Sequence, residues 1–432
     1  MTSHQVQLLF VDVALILLLA RWLGHLTARL QQPPVVGEIL AGVLLGPSLL
    51  NGAVSDTLFP ADIRPLLSGL ANIGVALFMF GVGLELEGSI LRGRGRAVSG
   101  AALGSTLIPF ALGVGTAFYL LRTHETRNNA AFVVFIGLSV SVTAFPVLAR
   151  ILTDRGLGRT ALGGVALATA AAVDVVAWVA LAGVQAAVGG GEQHWRVALT
   201  VPYLVVMVLA VRPALHRLLV PGGTAAPFAP WNFAVVLIGA LLSAAATEAM
   251  GMHFIFGAFL FGVIMPRKGA EALLADIRDR TGQVTSLLLP AYFVVAGLKV
   301  DLGGLGSGDL LDLGLILLVA VAGKFGGTYL GARSHGLPPR PASALAALMN
   351  TRGLTELVIL GVGLQLGLLD GSLYSLMVVM AVVTTVMTGP LLSRIYRRPV
   401  EVPRSTRIGI PDSESAAARS AQESIPAGER GR

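Results

Sequence analysis

Residues 139–146 read Ser-Val-Ser-Val-Thr-Ala-Phe-Pro, and they stand in the middle of an otherwise apolar run, 130–152. A run of that length crosses a bilayer as a helix. This one, however, carries three hydroxyls and a proline at its centre, where proline interrupts the backbone ladder. Asn350-Thr351-Arg352-Gly353 interrupts a second long apolar run, 341–365. Backbone unwound at membrane depth is tolerated where it lines a cavity, and there it offers carbonyl oxygens and helix-end dipoles to an ion. The two interruptions point to an all-α polytopic membrane protein whose broken helices should meet near the midplane.

Composition agrees. Of 432 residues, 54% are hydrophobic and 13% charged, and mean hydropathy is +0.77. Soluble domains carry about 25% charged residues. Cutting at polar and Gly/Pro-rich breaks gives about 13 transmembrane segments, at 6–27, 33–50, 66–86, 96–121, 130–152, 160–187, 196–216, 230–251, 252–266, 283–303, 311–332, 341–365 and 372–394. The start, Met-Thr-Ser-His-Gln-Val-Gln-Leu-Leu, lacks a basic n-region, so the first segment is read as a retained helix and not a cleaved signal. Residues 396–432 are expected to be a disordered tail. With no cysteine, disulfides and thiolate metal sites are excluded.

The arginines sort by loop. Arg29, Arg92, Arg94, Arg96, Arg150, Arg155, Arg159, Arg212, Arg217, Arg267, Arg278, Arg280, Arg333, Arg340, Arg394, Arg397 and Arg398 follow odd-numbered segments, as does Lys268. The even-numbered connections hold only Arg64, Arg122, Arg127 and Arg196, beside Asp56, Asp62, Glu125, Glu192 and Asp370. Basic loops stay cytoplasmic, which places the N-terminus outside, the C-terminus inside and the span count at an odd number. The net charge of +7 thus belongs to topology. Nucleic-acid binding is not expected, because the basic residues are dispersed over many loops and not interleaved with aromatics.

An internal repeat appears in three matches taken in the same order. Gly37-Glu-Ile-Leu-Ala-Gly42 before Pro47 pairs with Gly257-Ala-Phe-Leu-Phe-Gly262 before Pro266; Gly83-Leu-Glu-Leu-Glu87 pairs with Gly297-Leu-Lys-Val-Asp301; Thr143 precedes Ile151-Leu152 as Thr351 precedes Ile359-Leu360. The offsets are 220, 214 and 208 residues. They pair segments seven apart, so the copies have opposite membrane orientation. Two inverted six-helix repeats follow, about 5–188 and 230–395, with 196–216 as a linker helix.

Ionisable residues inside spans cost several kcal/mol or more and mark ion or proton paths. Asp12, Glu38, Asp174, Glu248, Lys299, Lys324, Arg352 and Glu356 are such residues. Asp174 is the principal candidate: it lies midway along its span with no other charge there. A desolvated carboxylate can alternate between a proton and a cation. Of the 31 basic residues only Lys268, Lys299 and Lys324 are lysines. Because Arg does not release its proton in a protein whereas Lys can, Lys299 reads as a neutralisable amine or a compact counter-ion. For Lys324, snorkelling and a site role stay equally open. Arg352 and Glu356, four apart, share a helical face, so an intrahelical pair and direct ion contact are both open. A hard monovalent cation prefers oxygen ligands, and Asp174, Thr143, Ser141 and carbonyls freed at Pro146 and Gly353 would supply them.

Gly37 to Ser48, Ser141 to Leu152, Phe256 to Gly262, Gly297-Leu-Lys299 and Asn350 to Leu357 together resemble the monovalent cation:proton antiporter-2 family, most closely its cation/proton exchanger branch, over residues 5–395. The resemblance implies a sodium/hydrogen exchanger-like, dimeric carrier whose core domain of crossed broken helices moves against a dimerisation domain. It also implies that Asp174 is the proton/cation-binding aspartate, that Thr143 lies in the unwound helix, and that Lys299 and Arg352 hold functional basic positions. Where the family usually has Asp-Asp or Asn-Asp, this chain has Val173-Asp174. A single carboxylate implies electroneutral one-for-one exchange of Na+ or K+ for protons. Proton-coupled export of an organic solute on the same fold, and an uncoupled channel or sensor, are the alternatives. No cofactor is expected, and without HExxH, Gly-x-Ser-x-Gly or a phosphate loop neither is an embedded enzyme.

Overall fold

The structure is a computed structural model that describes residues 2–30, 32–48, 52–85, 95–158, 160–188, 199–220, 230–267, 269–304 and 306–396. Met1–Tyr396 form one unit. Glu87, Arg92, Arg94, Arg159, Glu192, Arg196, Lys268 and the tail from 397 onward lie outside the described residues.

Each apolar segment contains helix among its described residues. In chain order the helices are α1 (Ser3–Arg29), α2 (Pro34–Leu45), a short α3 (Ala53–Leu58), α4 (Arg64–Glu85), α5 (Gly95–Leu120), α6 (Asn129–Ser141), α7 (Phe145–Asp154) and α8 (Ala161–Val188). Then come α9 (Thr200–Leu219), which contains a π-helical turn at Met207–Val211, α10 (Pro230–Ala249), α11 (Phe254–Ile264), α12 (Glu271–Gly297), α13 (Ser307–Ser334), α14 (Pro339–Met349), α15 (Leu354–Gln365) and α16 (Gly371–Ile395). No strand occurs among the described residues. Nine stretches there, with α6 and α7 taken as one, are long and apolar enough to cross a membrane, and the bent α14–α15 pair makes ten. The other three segments are the 12-residue α2, the 11-residue α11 and α12, which opens on charged residues including Glu271, Asp276 and Arg278. A helix of 12 residues is about 18 Å long, short of the roughly 30 Å hydrocarbon layer.

The short helices are held by backbone contact. Gly42 of α2 approaches α12 so closely that a methyl group there would lie 2.8 Å from the Gly297 Cα and would collide with the Val294 carbonyl. Gly262 of α11 meets α4 in the same way, 3.0 Å from the Gly83 Cα and against the Phe80 carbonyl. At the other contact, Gly37 abuts the Leu23 carbonyl of α1 and Gly257 abuts the Ser243 carbonyl of α10. Leu23 and Ser243 are 220 residues apart, as are Gly37 and Gly257. The inverted repeat is thus present in the packing itself, because the residues matched between the halves make equivalent contacts. Small residues at such crossings let helices approach without a hydrophobic driving force, which lipid does not provide.

Contacts partition the helices into two groups. In one, α4 packs on α12, α11 and α10, α2 on α1 and α12, and α10 on α11. In the other, α5 packs on α13, α6 and α8, and α13, α14, α15 and α16 close round α6, α7 and α8. The second group encloses both broken helices and most of the largest apolar core. Side chains such as Phe10, Leu18, Leu209 and Leu318 are left outward-facing, as a lipid-facing surface requires.

Candidate functional site

Both predicted breaks exist and are bonded to one another. Helix α6 ends at Ser141, Val142 and Ala144 are extended, and α7 restarts with Pro146 in its first turn, a position where the missing N–H costs nothing and the fixed φ suits the helix. Helix α14 ends at Met349, and Gly353 caps α15, with a 43° bend between the two helices. A side chain at Gly353 would press on Val147, 2.6 Å away. Across the gap, the Thr143 hydroxyl donates to the Met349 carbonyl at 2.9 Å and the Ala144 amide donates to the Thr351 carbonyl at 3.1 Å.

Helix ends carry opposite partial charges, and buried ionic side chains sit against them accordingly. At the C-terminal end of α6, Arg352 donates to the Ser139 carbonyl at 2.7 Å and to the Val140 carbonyl. Lys324 of α13 donates to the Ser141 carbonyl, to Thr143 Oγ1 at 2.7 Å and to the Ser105 carbonyl of α5 at 3.0 Å. At the N-terminal end of α7, Asp174 Oδ2 accepts the Phe145 amide at 3.3 Å. Glu356, in the first turn of α15, pairs with Arg352 at 3.0 Å. Asp174 is 5% exposed, while Lys324, Arg352 and Glu356 are at 0%. Two acidic and two basic groups buried this deeply are tolerated because they offset one another and most of their donors are used, Arg352 Nε being an exception.

The sequence-derived candidates separate. Thr143, Pro146, Asp174, Arg352, Gly353 and Glu356 come together at the crossing of the breaks. The Ser141 hydroxyl turns back to its own helix, to the Leu138 carbonyl at 2.8 Å, so this residue meets the cluster through its carbonyl. Lys299 lies elsewhere, lining a cavity of about 90 Å3 with His253, Tyr292, Tyr374 and Asn72. Lys324, left open between two readings in the sequence, is the lysine at the breaks. Thr385 of α16 was missed: its hydroxyl oxygen accepts the Arg352 amide at 2.9 Å and lies 2.9 Å from the Arg352 carbonyl. Val173 beside Asp174 is buried and apolar. Several buried oxygens on these elements have no partner: Asp174 Oδ1, Thr169 Oγ1, Ser139 Oγ, Asn350 Oδ1 and Glu356 Oε1.

Two cavities lie between the helix groups. One of about 190 Å3 reaches the start of α7 and α15 at Pro146 and Leu354, and is lined also by Glu38, Arg150 and Phe293. The other is the Lys299 cavity, which runs along α15 from Leu357 to Gln365.

A membrane fold of inverted repeats, with two broken helices crossing beside a buried carboxylate and amine, defines a secondary transporter of the ion-exchanger class. The chain belongs to the sodium/hydrogen exchanger transmembrane family, whose model matches residues 14–398. It is 38% identical over 411 residues to the Na(+)/H(+) antiporter NhaS4 of Synechocystis, covering 92% of this chain and all of that protein. It is 39% identical to cation/H(+) antiporter 20 of Arabidopsis thaliana (90% of this chain, 48% of that one) and 30% identical to K(+)/H(+) antiporter 1 of Saccharomyces cerevisiae (96% and 49%). The chain thus spans about half the length of the plant and yeast relatives. Its fold matches that of the sodium proton antiporter MjNhaP1 of Methanocaldococcus jannaschii with a TM-score of 0.66 at 15% identity, covering 90% of this chain and 96% of that one.

Proposed function

We propose that the protein exchanges a monovalent cation, Na+ or K+, for protons by alternating access, with Asp174 as the group that carries either ion. The observation that supports this most strongly is the free Asp174 Oδ1, buried at the crossing of the breaks while Oδ2 is held by the Phe145 amide. One oxygen anchors the carboxylate and the other is available to a proton or a cation. Thr143 and the carbonyls of the breaks, which here bond Lys324, Arg352 and one another, are the oxygens with which a cation entering beside Asp174 would exchange contacts, and oxygen is the ligand a hard cation prefers.

Lys324 takes the part that the sequence reading gave to Lys299. Its ammonium has three donors, and all three are spent on oxygens of α5 and the first break. It therefore acts as a fixed positive charge beside Asp174, and the exchangeable proton is carried by Asp174 alone. One carboxylate taking one proton or one cation makes the exchange electroneutral. The cavities at the start of α15 and along its remainder are the two half-paths, opened in turn as one helix group shifts against the other. Repeat one spans about 5–188, the linker 196–216 and repeat two about 230–395. The carrier works as a homodimer in the cell membrane, with its N-terminus outside and its C-terminus in the cytoplasm, as the arginine distribution requires.

The test is cation-induced dequenching of a pH-sensitive dye in everted vesicles. Addition of Na+ or K+ should relieve quenching in vesicles carrying the protein and not in empty ones. Relief by an organic solute with none by Na+, K+ or Li+ would favour the exporter alternative instead.

A further inference from the structure

Away from the breaks, His124 stands in the connection between α5 and α6 and faces three carboxylates from two other elements. Its Nδ1 lies 2.8 Å from Asp370 Oδ2 at the N-cap of α16, and its Nε2 lies 3.3 Å from Asp312 Oδ2 on α13. Asp309, one helical turn before Asp312, brings a carboxylate oxygen within 4.8 Å of both the His124 and Asp312 ligand atoms. The His124 and Asp312 side chains are only 5% and 3% exposed. We propose that His124, Asp309 and Asp312 form a binding site for a divalent transition-metal ion of the zinc class, with Asp370 orienting the imidazole.

Three features carry the proposal. The first is the order of contacts round the ring. A histidine that ligates a metal through one nitrogen usually donates its other N–H to a carboxylate, and Asp370, at hydrogen-bond distance from Nδ1, leaves Nε2 aimed at Asp312. The second is distance. Two ligands each about 2.0–2.1 Å from a tetrahedral ion are about 3.4 Å apart, close to the observed Nε2 to Oδ2 separation and long for a charge-assisted hydrogen bond. The third is charge. Three carboxylates against one imidazole leave a net negative charge of at least two even when the ring is protonated, and no Lys or Arg among the described residues forms an ion pair with Asp309, Asp312 or Asp370.

The donor set selects the ion class. Mg2+ and Ca2+ favour all-oxygen shells, whereas one imidazole with two carboxylates suits Zn2+ and its neighbours, with water in a remaining position. Asp309 is part-exposed and supplies the entry side. Its carboxylate is positioned by the Gly306 amide at 2.8 Å and the Ser372 hydroxyl at 3.1 Å. A bound ion would pin the α5–α6 connection to α13, with Asp370 joining the N-cap of α16. All three belong to the helix group that carries the breaks.

The experiment is calorimetric titration of ZnCl2 into the full-length protein in detergent after chelator treatment, with thermal unfolding in parallel. The expected result is one saturable site per chain, unaffected by a large excess of Mg2+, with affinity reduced tenfold or more in Asp309→Asn and in His124→Asn. Zinc should raise the unfolding temperature of the wild type and not that of Asp309→Asn. That variant changes a part-exposed side chain, so it decides the matter even if His124→Asn fails to fold. Absence of saturable binding, equal affinity in Asp309→Asn, or displacement by Mg2+ would each overturn the assignment. Transport is not measured, so the outcome is independent of the antiport reading.

Discussion

Lys324 Nζ lies 2.7 Å from Thr143 Oγ1, and through that contact a helix of the second repeat holds the unwound backbone of the first. The ammonium also satisfies the carbonyls of Ser105 and Ser141. Replacing it with an apolar chain of similar length strands the buried Ser105 and Ser141 carbonyls and removes the donor to Thr143. Removing one partner of a buried charged network costs about 3–5 kcal/mol. Lys324→Met should therefore lower the unfolding temperature in detergent markedly and abolish exchange, while Lys299→Met, in a separate cavity, should leave the unfolding temperature much closer to wild type.

Arg352 joins both breaks, since its guanidinium serves α6 and its backbone amide is held by Thr385 of α16. Arg352→Ala leaves the Ser139 and Val140 carbonyls and the Glu356 carboxylate without that donor, at a cost in the same range of about 3–5 kcal/mol. Glu356→Gln keeps an oxygen acceptor facing Arg352 and should cost clearly less. The ordering of the two variants in a thermal melt checks the assignment, and equal destabilisation would mean that the α6 carbonyls contribute little.

The glycine contacts of the two repeats give a paired prediction. Gly42→Ala and Gly262→Ala each place a methyl group against the backbone of the facing helix, and overpacking of this kind costs about 1–3 kcal/mol. Gly115 of α5 has nothing within 4 Å of an added Cβ, so Gly115→Ala should be neutral or slightly stabilising by helix propensity. Unfolding temperatures that fall together for the first pair and not for the third would follow from the repeat-related packing.

Much of this was legible in the sequence because membrane physics restricts it so tightly. Pro146 and Gly353 announced the breaks, the glycine spacing gave the repeat, and Asp174 was conspicuous as a lone charge at mid-span. What escaped were contacts between elements far apart in the chain. Lys324 reaches partners 181 to 219 residues away, and no local pattern distinguishes that reach from snorkelling. Lys299 reads as the stronger lysine from its retention in an arginine-using chain and then from its family motif, and the end of α12 carries it into a different cavity. His124 could not be paired with Asp312 and Asp370 before the α5–α6 connection was placed against α13 and α16.

The proposed electroneutrality rests on the single carboxylate beside the buried Val173 and on the fully occupied ammonium of Lys324. In proteoliposomes, an imposed Na+ or K+ gradient should drive proton movement with no response from a voltage-sensitive dye. A sustained potential would show that a second proton is carried, with Lys324 the first group to suspect.

The central claim is that Asp174 alone exchanges proton for cation. Asn is nearly isosteric with Asp and can still accept the Phe145 amide, so Asp174→Asn should fold like the wild type. Reconstituted side by side with an imposed cation gradient, the wild type should move protons and Asp174→Asn should move none above empty liposomes. Cation-driven proton flux in Asp174→Asn at the wild-type rate would contradict the account.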